Sequence, residues 1–365
     1  MKQLKIINVV GARPNFIKIA PIIEACKATK AITPILIHTG QHYSRKMSDL
    51  FFHQLGIPEP DINLGIGSAS HAVQTAEIMK SFEPVLLKHK PDAAIVVGDV
   101  NSTIACALVT VKLGIKLVHV EAGLRSFDRS MPEEINRMLT DRISDLLFCT
   151  EKSAVNNLIS EGVPEAKIFL VGNVMIDTLN KNRLRSQKSK IFNKLSLNGD
   201  NFAVLTLHRP SNVDDHNALG RILDALEIIQ NDMLIVFPVH PRTLGNFTNT
   251  LKTRLRSMSR LIMCEPLGYL DFLKLLCKAK LVLTDSGGVQ EETTVLNVPC
   301  LTLRDNTERP VTLEMGTNRL VGSDTKAIVK AYHLLMNTKA PRPRLPPLWD
   351  GKASNRIVKI LLDRI

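Results

Sequence analysis

Short apolar runs, each closing on a glycine, a small residue or a charge, alternate with amphipathic stretches along most of this chain. That alternation limits what it can fold into. In the first half the runs cover residues 4–10, 34–38, 93–97, 117–120 and 146–149, with a helical stretch over 15–29 after the first. In the second half they cover 202–207, 234–239, 261–264, 281–284, 300–303 and 319–321. Runs too short for helices, separated by helical periodicity, predict parallel sheets joined by crossover helices. Residues 181–200 break the pattern with polar, basic sequence and read as a linker, and 365 residues exceed what one hydrophobic core serves. The expectation is an α/β chain of two Rossmann-like domains facing a central cleft. The N-terminal domain covers 1–172 and the C-terminal domain 173–350, while a last helix over 352–365 has the choice of either partner.

Composition narrows the function. No apolar stretch approaches the roughly 18 uninterrupted residues of a membrane span. MKQLK leads straight into a strand-like run with no signal-peptide pattern, so a cytoplasmic chain without a membrane partner is expected. Cys26, Cys106, Cys149, Cys264, Cys277 and Cys300 are scattered, never as a close pair, which points to buried thiols and to neither disulfides nor a metal site. The formal charge of +12 raises the question of nucleic acid. Much of the excess sits in Lys181, Arg183, Arg185, Lys188 and Lys190 and in Lys339, Arg342 and Arg344, segments that read as exposed linkers. With aromatics at 4%, base-stacking platforms are lacking, so nucleic acid is not expected as a partner. A polyanionic small molecule such as a nucleotide diphosphate suits a basic surface better.

In open parallel sheets, ligands sit outside the carboxyl ends of the strands. Asp99 follows the run 93–97 and Gly98, and Glu121 follows 117–120 and precedes Ala122-Gly123; small neighbours leave room for a ligand. Glu133 lies in the loop-to-helix segment after them. Several carboxylates in one place suit proton transfer. For Glu133 two plainer readings stand beside that one: a capping box Ser130-x-x-Glu133, or an ion-pair ladder Glu133, Arg137, Asp141 at four-residue spacing. Gly11 to Lys18 turns a strand into a helix, with Pro14 suited to a first helical position and Arg13 and Lys18 adding charge at an anion-attracting end, or else makes an ordinary βα-turn whose basic residues are solvated. Ser286, Gly287 and Gly288 repeat that architecture, and Glu292 lies one turn deeper, where a carboxylate accepts from ribose hydroxyls. Its plain alternative is a glycine-rich helix start with acids placed to suit the helix dipole. His208 and His240 end the first two strands of the second half; His240 reads equally well as a structural histidine, and His208 is the better placed for a phosphate or a proton.

Taken together, GARPNFIK (11–18), HTGQH (38–42), VVGDVNST (96–103), HVEAGLRSFDRSMPEEINR (119–137), VGNVMID (171–177), HRPSNV (208–213), PVHP (238–241), TDSGGVQEE (284–292) and RDNTERP (304–310) resemble the non-hydrolysing UDP-N-acetylglucosamine 2-epimerases. Members of that family share the two-domain architecture of GT-B glycosyltransferases. The resemblance implies reversible inversion at C2 of UDP-GlcNAc to give UDP-ManNAc. The C2 hydrogen is barely acidic, so the family eliminates UDP across C1 and C2, leaving a 2-acetamidoglucal, and adds it back after protonation on the other face. It further implies Asp99, Glu121 and Glu133 as acid/base candidates, with His208 at the diphosphate. Arg13, Lys18, Arg137, His240, Ser286, Gly287, Gly288, Glu292 and Arg309 are implied as substrate-binding residues. A homodimer with a UDP-sugar as its ligand, and no cofactor, completes the set. Ser211 stands where relatives usually have an acid, and Tyr43-Ser44-Arg45-Lys46 departs from the pattern of members controlled by their own substrate. Rival activities are epimerisation of a 2,3-diacetamido uronic acid UDP-sugar, hydrolytic epimerisation releasing UDP and ManNAc, and glycosyl transfer.

Overall fold

The computed structural model describes residues 3–41, 55–57, 59–197, 199, 201–239, 241–337 and 344–365, with the side chains of 13, 241, 242 and 246 outside the description. Two compact units emerge: Met1–Lys181 with Pro347–Ile365, and Asn182–Pro346.

The first unit is built on seven parallel strands: β1 (Leu4–Val10), β2 (Ile32–His38), β3 (Ile62–Asn63), β4 (Ala93–Val97), β5 (Lys116–Ala122), β6 (Leu146–Cys149) and β7 (Ile168–Leu170). Their order, β3-β2-β1-β4-β5-β6-β7, reverses direction between β1 and β4. Helices cover both faces, so β4 is buried along its whole length and its sequence has no polar alternation. Ile7, Val9, Ile37 and Val96 pack with Ile78, Phe82 and Leu86 of the helix His71–His89 and with Ala105 and Val109 of the helix Asn101–Lys112. Each of these side chains larger than alanine contributes about 1.5–3 kcal/mol by leaving water.

The terminal helix, Ala353–Arg364, belongs to this unit and packs on the helix Arg13–Thr29. Its first amides, Ala353 N–H and Ser354 N–H, donate to the Asp177 carboxylate at 3.1 and 2.8 Å. Just before it, the Trp349 indole N–H donates to the Thr150 carbonyl at 2.9 Å. Gly172, at φ +87°, is required by this contact, because a Cβ there would lie 2.1 Å from the Leu348 carbonyl oxygen.

The second unit carries six parallel strands: β8 (Phe202–Thr206), β9 (Leu234–Pro238), β10 (Leu261–Cys264), β11 (Leu281–Thr284), β12 (Cys300–Thr302) and β13 (Asn318–Leu320), ordered β10-β9-β8-β11-β12-β13. Here the reversal falls between β8 and β11. Leu205, Ile235, Phe237 and Leu283 pack with Leu219, Ile222 and Leu226 of the helix His216–Ile229 and with Tyr332.

Three expectations need correction. Residues 181–197 are not an irregular linker: a helix, Val174–Ser186, runs into them and a short one, Ile191–Lys194, follows, with Asn182, Ser186, Ile191 and Leu197 buried. The basic side chains of that stretch are exposed, and the charge around the few inward-facing residues hides their pattern. The cysteines are all free thiols, but Cys264 and Cys277 are only partly buried. Strands β3 and β7 were not foreseen. Among the described residues no helix is long and apolar enough to cross a membrane.

Candidate active site

Glu121 marks the end of β5 by its backbone. It sits at φ +73°, and the pairing of β5 with β6 shifts register between Val120 and Ala122, so Glu121 is the extra residue of a bulge. A left-handed conformation costs a residue with a Cβ about 1–2 kcal/mol, and such strain collects at functional positions. The bend turns the carboxylate toward Lys18, whose ammonium donates to Oε2; both side chains are buried. Gly98 makes room: a Cβ there would stand 3.2 Å from Glu121 Oε2 and 3.3 Å from Lys18 Nζ. Asn15 fixes the helix start beneath, accepting from Ala12 N–H at 2.9 Å and donating to the Val97 carbonyl at 2.9 Å.

Asp99, just beyond β4, is held by the helix Pro132–Ile143. Arg137 donates Nη2 to its carboxylate and Nη1 to Glu134 Oε2 at 2.6 Å, while Asn136 Nδ2 donates to its backbone carbonyl at 2.9 Å. One turn on, buried Asp141 accepts from Gly123 N–H at 3.0 Å, from Arg125 at 2.7 Å, and lies 2.6 Å from His119 Nδ1. The other ring nitrogen of His119 donates to the Gly98 carbonyl at 2.9 Å. Burial opposes the charge on Asp141, but His119 and Arg125 outweigh it and hold the carboxyl below its usual range. This network pins Gly98 and Gly123, the two turns that flank the acids.

Both plain readings of Glu133 give way to a different arrangement. The helix begins at Pro132 after Met131 with no side-chain cap, and the Ser130 hydroxyl donates to Asp128 at 2.6 Å instead. The ladder is absent because Arg137 and Asp141 face inward together with Glu134, which accepts from Ser126 and Phe127 amides. Glu133 is half-buried, and among the described residues no hydrogen bond or ion pair reaches its carboxylate.

In the second unit, Asp285 follows β11, and Ser286 stands at the N-cap position of the helix Gly287–Leu296 without a side-chain cap bond. Ser286 and Gly288 are half-exposed, so the helix start is open to an anion. Gly287 is there because Arg309 lies against it, with Nη1 2.7 Å from where a Cβ would stand. Arg309 donates Nε to Glu291 at 2.7 Å and Nη1 to Glu308 at 2.7 Å, and Arg304 and Arg209 also meet Glu308. Three guanidinium groups therefore face two carboxylates. Arg304 Nη1 and Arg209 Nε are buried with no acceptor among the described residues, an arrangement that favours a bound anion. Among the described residues no group of acids, histidines or cysteines is clustered to hold a metal.

Glu292 is buried and accepts the Tyr269 hydroxyl at 3.0 Å. Burial, with the Glu291 carboxylate adding to it, pushes Glu292 up to about 7 against the lowering effect of the Tyr269 bond. The native protein thus keeps a proton that the unfolded chain releases near the ordinary glutamate value. Between those two values the native state binds more protons, so stability falls as pH rises from 4.5 through 7. Glu292→Gln, which keeps the acceptor for Tyr269, should remove that slope. Urea unfolding of both proteins across the window should show a relative gain of about 3 kcal/mol for the variant by its upper end.

His240 and residues 43–46 lie outside the described residues, as does the Arg13 side chain. Sequence reasoning missed Glu134, His119, Asp285 and Glu308, and read Asp141 only as a rung of an ion-pair ladder. The available signal was a set of charged residues inside otherwise apolar or small-residue segments, and for Glu134, Arg137 and Asp141 a spacing of three and four residues, one face of a helix.

Two switch-point sheets, acids at the strand ends of one and an anion-ready helix start in the other, place the chain in the class of GT-B-like α/β folds. The profile of the family described as UDP-N-acetylglucosamine 2-epimerase matches residues 24–362. The UDP-N-acetylglucosamine 2-epimerase of Methanocaldococcus jannaschii is 47% identical over 98% of this chain and 99% of its own length. Its crystal structure in complex with UDP-GlcNAc and UDP matches 99% of this chain and 100% of that one, with a TM-score of 0.92. A Pseudomonas aeruginosa relative, UDP-2,3-diacetamido-2,3-dideoxy-D-glucuronate 2-epimerase, is 41% identical over 98% of this chain and 99% of its own. The chain belongs to the UDP-N-acetylglucosamine 2-epimerase family.

Proposed function

We propose that this chain interconverts UDP-GlcNAc and UDP-ManNAc without net hydrolysis. The observation that carries the reading is the pair of cation-held carboxylates, Lys18 with Glu121 and Arg137 with Asp99, at the ends of neighbouring strands. One carboxylate takes the C2 proton as the C1–O bond breaks and UDP leaves with the bonding electrons, giving a C1=C2 double bond. A second acid returns a proton to the opposite face of C2, and a UDP oxygen re-forms the bond to C1. Glu133, without a partner among the described residues, is available for either transfer. The second unit holds the UDP: the start of the helix Gly287–Leu296 and Arg309 with its neighbours neutralise the diphosphate, and Glu292 takes the ribose hydroxyls. His208 serves the departing diphosphate. Fixed donors aimed at a departing anion lower the barrier more than any other single device open to such a site.

Incubation with UDP-GlcNAc in D₂O should place deuterium at C2 of both epimers at equilibrium, with no net release of UDP. A fully protonated C2 would end the elimination route, and UDP accumulating with product would favour the hydrolysing reaction. The 41% identity to the diacetamido-glucuronate epimerase supports a second substrate reading. Parallel assays with both UDP-sugars decide it by the ratio of kcat/KM.

A further inference from the structure

We propose that Asp285 is the positioning residue for His208: its buried carboxylate holds the ring at Nδ1 and leaves Nε2 as the one atom free to exchange a proton with a diphosphate oxygen. What Nε2 does rests on the epimerase reading; how the ring is held does not.

Asp285 is fully buried, directly after β11. Its oxygens accept His208 N–H at 3.0 Å, Arg209 N–H at 2.9 Å and Asn212 Nδ2 at 3.2 Å, and His208 Nδ1 lies 2.8 Å from Oδ1. A carboxylate has only acceptors, so Nδ1 carries the hydrogen. Burial alone would favour the neutral acid; the imidazole and the backbone amides reverse that and keep Asp285 ionised. The ring itself is 57% exposed, so its far nitrogen is reachable. Ser211, in the short helix Pro210–Val213 that follows His208, is exposed and is no acid; the partner of the ring comes instead from the end of β11. Asp285 also immediately precedes Ser286 and Gly287. One residue therefore both tethers the imidazole and begins the bend that receives an anion, which sets the ring beside that bend by construction.

The test uses the full-length chain. With ¹⁵N-labelled histidine at alkaline pH, long-range ¹H–¹⁵N spectra should show His208 as the Nδ1–H tautomer, and Asp285→Asn should convert it to Nε2–H. Finding the Nε2–H tautomer in the unaltered protein, or no change on substitution, would overturn the proposal. The first of these readings needs no variant to fold and no turnover. In kinetics, Asp285→Asn should lower kcat by up to roughly 10⁴-fold, the cost when a proton-transferring histidine loses the carboxylate behind it, with KM little changed. In a His208→Gln background the same substitution should cost almost nothing further. An equal loss in both backgrounds would mean that Asp285 acts through the fold and not through the ring. Failure of UDP-GlcNAc to turn over at all would defeat the epimerase reading, and the tautomer would still decide how the ring is held.

Discussion

Asp99→Asn should leave the protein folded and lower kcat for epimerisation by roughly 10²–10⁴-fold, the range that a single general acid or base contributes. The substitution is nearly isosteric, and the Asp99 side chain is 27% exposed, so little packing is at stake. Its backbone stays in place through Asn136, and Arg137 keeps Glu134 as a counter-charge, so no buried cation is stranded. What disappears is the capacity to hold a proton beside the end of β4. Steady-state rates in both directions, read with far-UV melting curves of the two proteins, separate chemistry from stability. Activity within threefold of the parent would remove Asp99 from the proton transfers and leave Glu121 and Glu133 to share them.

Lys18→Met should cost about 3–5 kcal/mol of stability, because it leaves the Glu121 carboxylate buried without its cation. The double variant Lys18→Met with Glu121→Gln should recover much of that loss, since two neutral partners need no compensating charge. Trp349 is the chain's one tryptophan. It is buried in the first unit, the same unit as the pair, so its fluorescence during urea unfolding reports the right transition. Equal stability of the single variant and the parent would show that the ammonium contributes little to holding Glu121 in its bulge. Activity should fall in both variants, because both remove a charge from the proposed site.

Most of the fold could be read from the sequence because both sheets are parallel and covered on both faces, which makes their strands nearly continuous apolar runs. The strands β3 and β7 escaped notice for the opposite reason: they are two and three residues long and partly exposed. At the site, residues carried by strand ends were legible, since packing alone seldom places a charge directly after an apolar run and a glycine. The partners made along the helix Pro132–Ile143 were not. Adjacent Glu133 and Glu134 differ by about 100° around the axis, and the four-residue spacing to Arg137 and Asp141 favours the wrong one. Neither His119, hidden within a strand, nor the reach of Asp285 to an amide 77 positions away is a local property. Such partners are tertiary facts.

The chain's first unit is closed by its last residues, whereas the second is one contiguous stretch inserted before them. During synthesis at 5–20 residues per second, the intervening segment takes roughly ten to thirty seconds to emerge. Throughout that interval the helix Arg13–Thr29 lacks its terminal cover and Asp177 lacks the amides it binds. Nascent chains should accordingly gain protease resistance over the second unit before the first, an inversion of the usual N-terminal-first order, and a stall after residue 346 should leave the first unit open to chaperones.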